Sequence, residues 1–150
     1  MNPVSQRYVR FGTILVASLL IMFALSMSMV RRWGDFYWNL SNFYMALTMV
    51  SAMSAVMTVG MWHMLGDVRV NAVWLGASLV MFVAAFFMGR SETAVGNEEF
   101  LRSMIPHHSR AILVCQESHL TDPEIIELCE GIVSSQQEEI DQMKAILGRY

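Results

Sequence analysis

Met104, His107, His108, Cys115 and His119 fall within one stretch of the chain, and Cys129, Gln136, Glu139 and Met143 within a second, separated by a turn at Thr121, Asp122 and Pro123. Thioether, imidazole and thiolate are ligands for soft ions, copper(I) first, and the His, Glu and Gln groups would also tolerate zinc or copper(II). At 100° per residue, Leu101, Met104, His108, Ile112, Cys115 and His119 lie within about 80° of one another on a helix. Cys129, Ile132, Gln136, Ile140 and Met143 form a comparable stripe, with Glu139 at its edge. Two antiparallel helices closing at residues 121–123 would pair positions whose numbers sum to roughly 244. Cys115 then faces Cys129, His108 faces Gln136, and Met104 faces Ile140, with Met143 and Glu139 one turn away. His107 sits 100° round from His108, on the flank. Pro106 removes one helical N–H bond just before the histidines and is expected to kink the helix.

Polar groups on a buried face need partners, and one metal ion would satisfy several of these at once. The competing reading makes Met104 and Met143 core filler and lets the histidines hydrogen-bond across the helices. The cysteines do not form a CxxC pair, so neither a zinc knuckle nor a thioredoxin-like site is signalled. Their expected apposition permits a disulfide in an oxidising compartment, two thiolate ligands if reduced, or two small buried residues without chemistry.

The elements that position these groups follow from composition. Of 150 residues, 55% are hydrophobic and 15% charged, with mean hydropathy +0.42, which argues against a plain soluble domain. Residues 11–30, 36–66 and 70–89 contain no charge. We predict membrane spans over about residues 11–30, 40–62 and 70–88, since crossing a bilayer takes about 20 apolar residues. The first apolar run is long for a signal peptide and lacks a convincing cleavage site, so it reads as a retained span after a polar arm of residues 1–10. Residues 31–39, rich in aromatics, read as an interfacial loop, and residues 63–69 as a turn.

After a linker of residues 89–96, Asn97 is expected to cap a helix reaching about His119. Asp122 and Pro123 restart a second helix that runs to Leu147 and ends at Gly148. The chain is thus read as all-α, with a three-span anchor over residues 1–90 and a soluble antiparallel hairpin over residues 91–150. A two-helix hairpin cannot enclose a core, so a metal, a disulfide or a partner is expected. Homodimerisation into a four-helix bundle is the natural remedy.

Charge divides the same way, +4 over residues 1–90 and −7 over residues 91–150. An acidic hairpin repels phosphate and attracts cations, which excludes nucleic acid as the expected partner and leaves the lipid bilayer. Three basic residues on one side (Arg7, Arg10, Arg69) against four on the other (Arg31, Arg32, Arg90, Arg102) do not orient the chain. An odd number of spans does place the termini on opposite sides. Met45, Met49, Met53, Met57 and Met61 recur every four residues in the second span, with His63 and Met64 beyond. That row is either a copper(I) relay or flexible packing surface. No Glu-x-x-His, His-Glu-x-x-His, Gly-x-Ser-x-Gly, Walker loop or dinucleotide fingerprint is present, so no enzyme is expected.

Met104-Ile105-Pro106-His107-His108 with Ala111-Ile112, followed by Ile132-Val133, Gln136, Glu139-Ile140 and Met143, resembles the bacterial domain-of-unknown-function family 305. That family carries an MIxHHxxAI segment and an IIxxQxxEIxxM segment on successive helices. The resemblance covers about residues 97–147. It implies a ferritin-like four-helix arrangement, export to the periplasm or cell exterior, and, in some members, copper binding through Met and His. Carried over, the metal ligands are Met104, His107, His108 and Met143, with Gln136 and Glu139 ligating or supporting them. His119 is a possible accessory group. Cys115 and Cys129 stand where the family often has small residues such as Ala, which favours a coupled role. The implied location is a bacterial inner membrane, with the amino terminus cytoplasmic and the hairpin periplasmic. Copper is the expected cofactor, with zinc as the alternative.

Overall fold

The computed structural model describes residues 3–150, and every regular element among them is helical. Helices α1 (Pro3–Ser26), α2 (Leu40–Gly60) and α4 (Val68–Arg90) are long and apolar enough to cross a membrane, with a one-turn helix α3 (Trp62–Leu65) between the last two. Helices α5 (Asn97–Glu117) and α6 (Pro123–Leu147) follow. The chain forms two compact units. One takes the chain up to Ala24 with Phe43–Thr93, and the other takes Leu25–Asn42 with Ala94–Tyr150.

The first unit turns its polarity inward. Val16, Leu20, Ile21, Val56, Val73, Val80 and Phe87 are each more than half exposed, while Ser51, Ser54, Thr58, Asn71 and Ser78 are buried. Such a surface suits hydrocarbon, where polar groups must find partners inside the helix group. They do: Ser54 and Ser78 share a hydroxyl bond of 2.7 Å, Trp74 Nε1 donates to Ser54 Oγ at 3.1 Å, and Tyr8 OH donates to Asn71 Oδ1 at 2.8 Å. Asn71 Nδ2 in turn donates to the Trp62 carbonyl at 2.8 Å. Phe11, Leu15, Val50 and Leu65 pack beside this network.

The helix boundaries differ from expectation where tertiary bonds intervene. The first two residues of the expected polar arm lie outside the described residues. From Pro3 the arm is already helix, held by Arg7 Nη1 donating to the Met64 carbonyl and Tyr8 OH to the Asp67 carbonyl. The same helix stops at Ser26, four residues before the expected end at residue 30. There the Ser28 amide and hydroxyl both turn back to the Leu25 carbonyl, and Met27 is buried against Asn39 Nδ2. Residues 62–65, expected as span and turn, form α3, which ends at Gly66 in the left-handed region with φ +93°. A Cβ at Gly66 would be strained by that φ and would meet Arg7 Nη1 at 3.1 Å. Asp67 caps α4, which therefore starts two residues before the expected 70.

In the second unit, Gly96 rather than Asn97 occupies the N-cap of α5, and no side chain caps it. Helix α5 runs through Pro106 without interruption and ends at Glu117, short of His119. Asp122 caps α6 as expected, accepting from the Glu124 amide, with Pro123 in the first turn. Gly148 ends it in a right-handed rather than left-handed conformation.

The largest departure concerns residues 31–39. Read from the sequence as an interfacial loop, they also form a third element of the hairpin unit, with a single 3₁₀ turn at Trp33–Asp35 and Tyr37 packed on the core of Leu101, Ile105, Ile112, Ile140 and Met143. Residues 25–42 therefore belong with the hairpin and not with the anchor that was read over residues 1–90. Their arrival turns the buried face of α5. Leu101, Ile105, Pro106, Ser109 and Ile112 are buried, in place of a stripe through Met104, His108, Cys115 and His119.

Candidate functional site

Two rungs connect α5 to α6 at the expected site. In the first, Met104, half-buried, packs against the core that contains Ile140 and the buried Met143. In the second, one turn along α5, His108 Nδ1 lies 2.8 Å from Glu139 Oε2. Gln136 Nε2 donates to that same oxygen at 3.4 Å, so imidazole and amide converge on one carboxylate. The expected partner of His108 was Gln136. Helical side chains lean toward the N-terminus, so Glu139 reaches back about one turn to the level of Gln136 and takes its place.

The His108 side chain is 13% exposed, and its Nδ1 is sealed from solvent. Glu139 Oε2 stands at ion-pair distance from Nδ1, and no hydrogen bond of regular geometry reaches that nitrogen among the described residues. Burial lowers the His108 pKa from its usual 6.5; the negative charge of Glu139 opposes that shift without overcoming it, and neighbouring His107 adds to it. Burial thus favours the uncharged imidazole, the form in which a ring nitrogen can ligate.

The remaining expected residues separate. His107 is exposed on the flank, its ring centroid 5.9 Å from that of His108. His119 is exposed beyond the end of α5, so it does not join the site as an accessory group. Cys115 and Cys129 are joined in a disulfide with a Cα separation of 5.4 Å, which answers the three alternatives with a cross-link and leaves no thiolate ligand. Among the described residues, no three His, Cys, Asp or Glu side chains come together as a metal site built from those ligands would need. What the fold does assemble is an imidazole with a carboxylate and an amide, one turn of α5 from Met104 on the core that contains Met143.

A second polar cluster was not anticipated. Asp35 is buried, accepts a 2.6 Å bond from Ser109 Oγ and pairs with Lys144 Nζ. Ser109 Oγ also accepts from the Arg31 amide at 2.9 Å, and Arg31 Nη1 donates to Gln137 Oε1 at 2.9 Å. Glu99 Oε2 accepts from the Leu40 amide at 2.8 Å, satisfying a free N–H at the start of α2. The sequence held one signal: Asp35 is the single acid among residues 1–66, and Lys144 is the single lysine of the chain.

The family profile described as "Domain of unknown function (DUF305)" matches residues 87–147. Uncharacterized protein L153 of Acanthamoeba polyphaga mimivirus is 32% identical to this chain over 116 residues, covering 76% of this chain and 74% of the viral one. The chain belongs to the DUF305 family. The DUF305 match takes in both rungs of the site and the disulfide. The likeness to the viral protein is about twice as long as the hairpin, so it extends into the apolar part of the chain. No solved structure matches this DUF305 chain.

Proposed function

We propose that this DUF305 protein is a membrane-tethered metal-binding protein that holds copper(I) on its hairpin unit, through His108, Met104 and Met143, with Glu139 and Gln136 supporting the imidazole. One observation carries the reading: a largely buried histidine, whose Nδ1 is sealed from solvent without a hydrogen-bond partner, lies one helical turn from Met104, which packs on the core that contains Met143. Imidazole with thioether is a soft donor set, which favours copper(I) over zinc, for which three or four His, Cys or carboxylate ligands are usual. The inward polarity of the three long helices supports the bilayer as the setting.

The test is a copper(I) competition titration on the full chain in detergent, because residues 31–39 complete the hairpin unit and an excised hairpin would lack them. His108→Ala, and Met104→Leu with Met143→Leu, should each weaken copper(I) by at least about tenfold, whereas His107→Ala should change it little. The Met→Leu changes conserve volume and keep the core filled. Unchanged affinity in His108→Ala removes the proposal. We read a second copy of the chain as the partner, supported by the uncovered side chains of Val114, Ile125, Ile126 and Leu128 toward the turn. The same variants should keep the parent's oligomeric state, since those side chains lie outside the two rungs.

We further propose that the hairpin faces the periplasm of a bacterial inner membrane, with the amino terminus in the cytoplasm. The disulfide supports this, because such bonds persist in oxidising compartments. A reporter fused after Tyr150 should score as external; a cytoplasmic signal overturns the assignment.

A further inference from the structure

Where the start of α1 meets the end of α2, the first unit carries a groove of about 1020 Å³, lined by Arg7, Arg10, Phe11, Met57, Met61 and Leu65 among others. Two features give it a chemical preference. Among the described residues it is lined by two guanidinium groups and no acidic side chain. Asp67, the acid closest in sequence to its lining residues, is already engaged as the cap of α4, accepting from the Arg69 and Val70 amides at 2.9 and 3.1 Å. Arg7 is fixed by donating to the Met64 carbonyl at 2.8 Å, which keeps its charge at the groove, while Arg10 has no partner among the described residues. Beside the guanidiniums the wall is apolar, formed by Phe11, Ile14, Met57 and Leu65. The three thioethers of Met57, Met61 and Met64 on this wall would suit a soft cation, but the two guanidinium charges oppose one.

We propose that this groove binds an anionic phospholipid, its headgroup phosphate on Arg7 and Arg10 and an acyl chain along the apolar wall. The guanidinium fork matches phosphate oxygens. The lining offers no negative counter-charge for the ammonium of a zwitterionic headgroup, while the two guanidiniums favour a net negative one. The proposal rests on the membrane reading, because the groove sits at the end of two spans, the depth at which headgroup phosphates lie.

The experiment uses the full chain and separates the two readings. In a first arm, phosphatidylcholine vesicles carrying the chain are extracted with alkaline carbonate, and retention in the membrane checks the spans alone. In a second, native mass spectrometry of the detergent-solubilised chain measures retention of phosphatidylglycerol against phosphatidylcholine, with and without millimolar inorganic phosphate. Phosphatidylglycerol should be retained preferentially, and Arg10→Gln and Arg7→Gln should each weaken it by about fivefold. Arg10→Gln breaks no bond within the described residues, so its effect reads the ligand and not the fold. Equal retention of both lipids, an Arg10→Gln/Arg7→Gln double variant that still prefers phosphatidylglycerol, or displacement of the lipid by inorganic phosphate would each overturn the proposal.

Discussion

Lys144→Met is expected to lower the unfolding free energy of the hairpin unit by about 3 kcal/mol, because it leaves the buried Asp35 carboxylate without its counter-charge. Methionine keeps most of the lysine stem, so lost packing contributes little. The figure sits at the low end for a broken buried pair because Lys144 is itself about 35% exposed and Ser109 still donates to Asp35. Asp35→Asn should cost less, about 1 kcal/mol, since the amide oxygen still accepts from Ser109 and the lysine left behind can turn to water. The double variant should resemble Asp35→Asn alone, giving a coupling of about 3 kcal/mol in a double-mutant cycle. Urea titrations of the full chain in mild detergent would measure all three. A Lys144→Met cost below about 0.5 kcal/mol would place the pair with ordinary surface ion pairs and deny it any part in holding the loop to the hairpin.

Replacing both Cys115 and Cys129 by serine should destabilise the unit by a similar amount, about 3 kcal/mol for a closed loop of this length. The reason lies in where the core is. The buried residues of α5 stop at Ile112 and those of α6 begin at Ile140, and no residue from 113 to 139 is buried. The outer half of the hairpin therefore has almost no core of its own, and the disulfide with sequence separation 14 ties its two strands of chain together. Hydrogen exchange should show the loss as local. In the serine variant, or under reductant, amides over residues 113–135 should lose protection while those near Leu101, Ile105 and Ile140 keep theirs. Uniform loss across both helices would contradict this division.

These two interactions also separate what was legible from what was not. The apposition of Cys115 and Cys129 followed from helical spacing and the position of one turn, because the capping pair Asp122 and Pro123 marks where the chain reverses; that the two form a disulfide is decided by the structure. His108 and Glu139 were both picked out, yet their contact was not, since residue numbering locates Cα atoms and the lean of a long side chain moves its carboxylate by a turn. Asp35, Ser109 and Lys144 could not be joined from the sequence. They come from three separate elements, and an acid, a serine and a lysine far apart in the chain carry no periodic signal that links them.

The sequence by itself determined the helical class, three helices long and apolar enough to cross a membrane, the hairpin with its turn, and the family, because each rests on local composition or on motifs a few residues long. Tertiary structure alone decided which face of α5 is buried. Residues 31–39 pack on the hairpin and bring Asp35 to Ser109 and Lys144, which turns Ile105 and Ser109 inward. Burial is a property of what an element meets, and a helix read in isolation cannot show that a distant loop will cover its side.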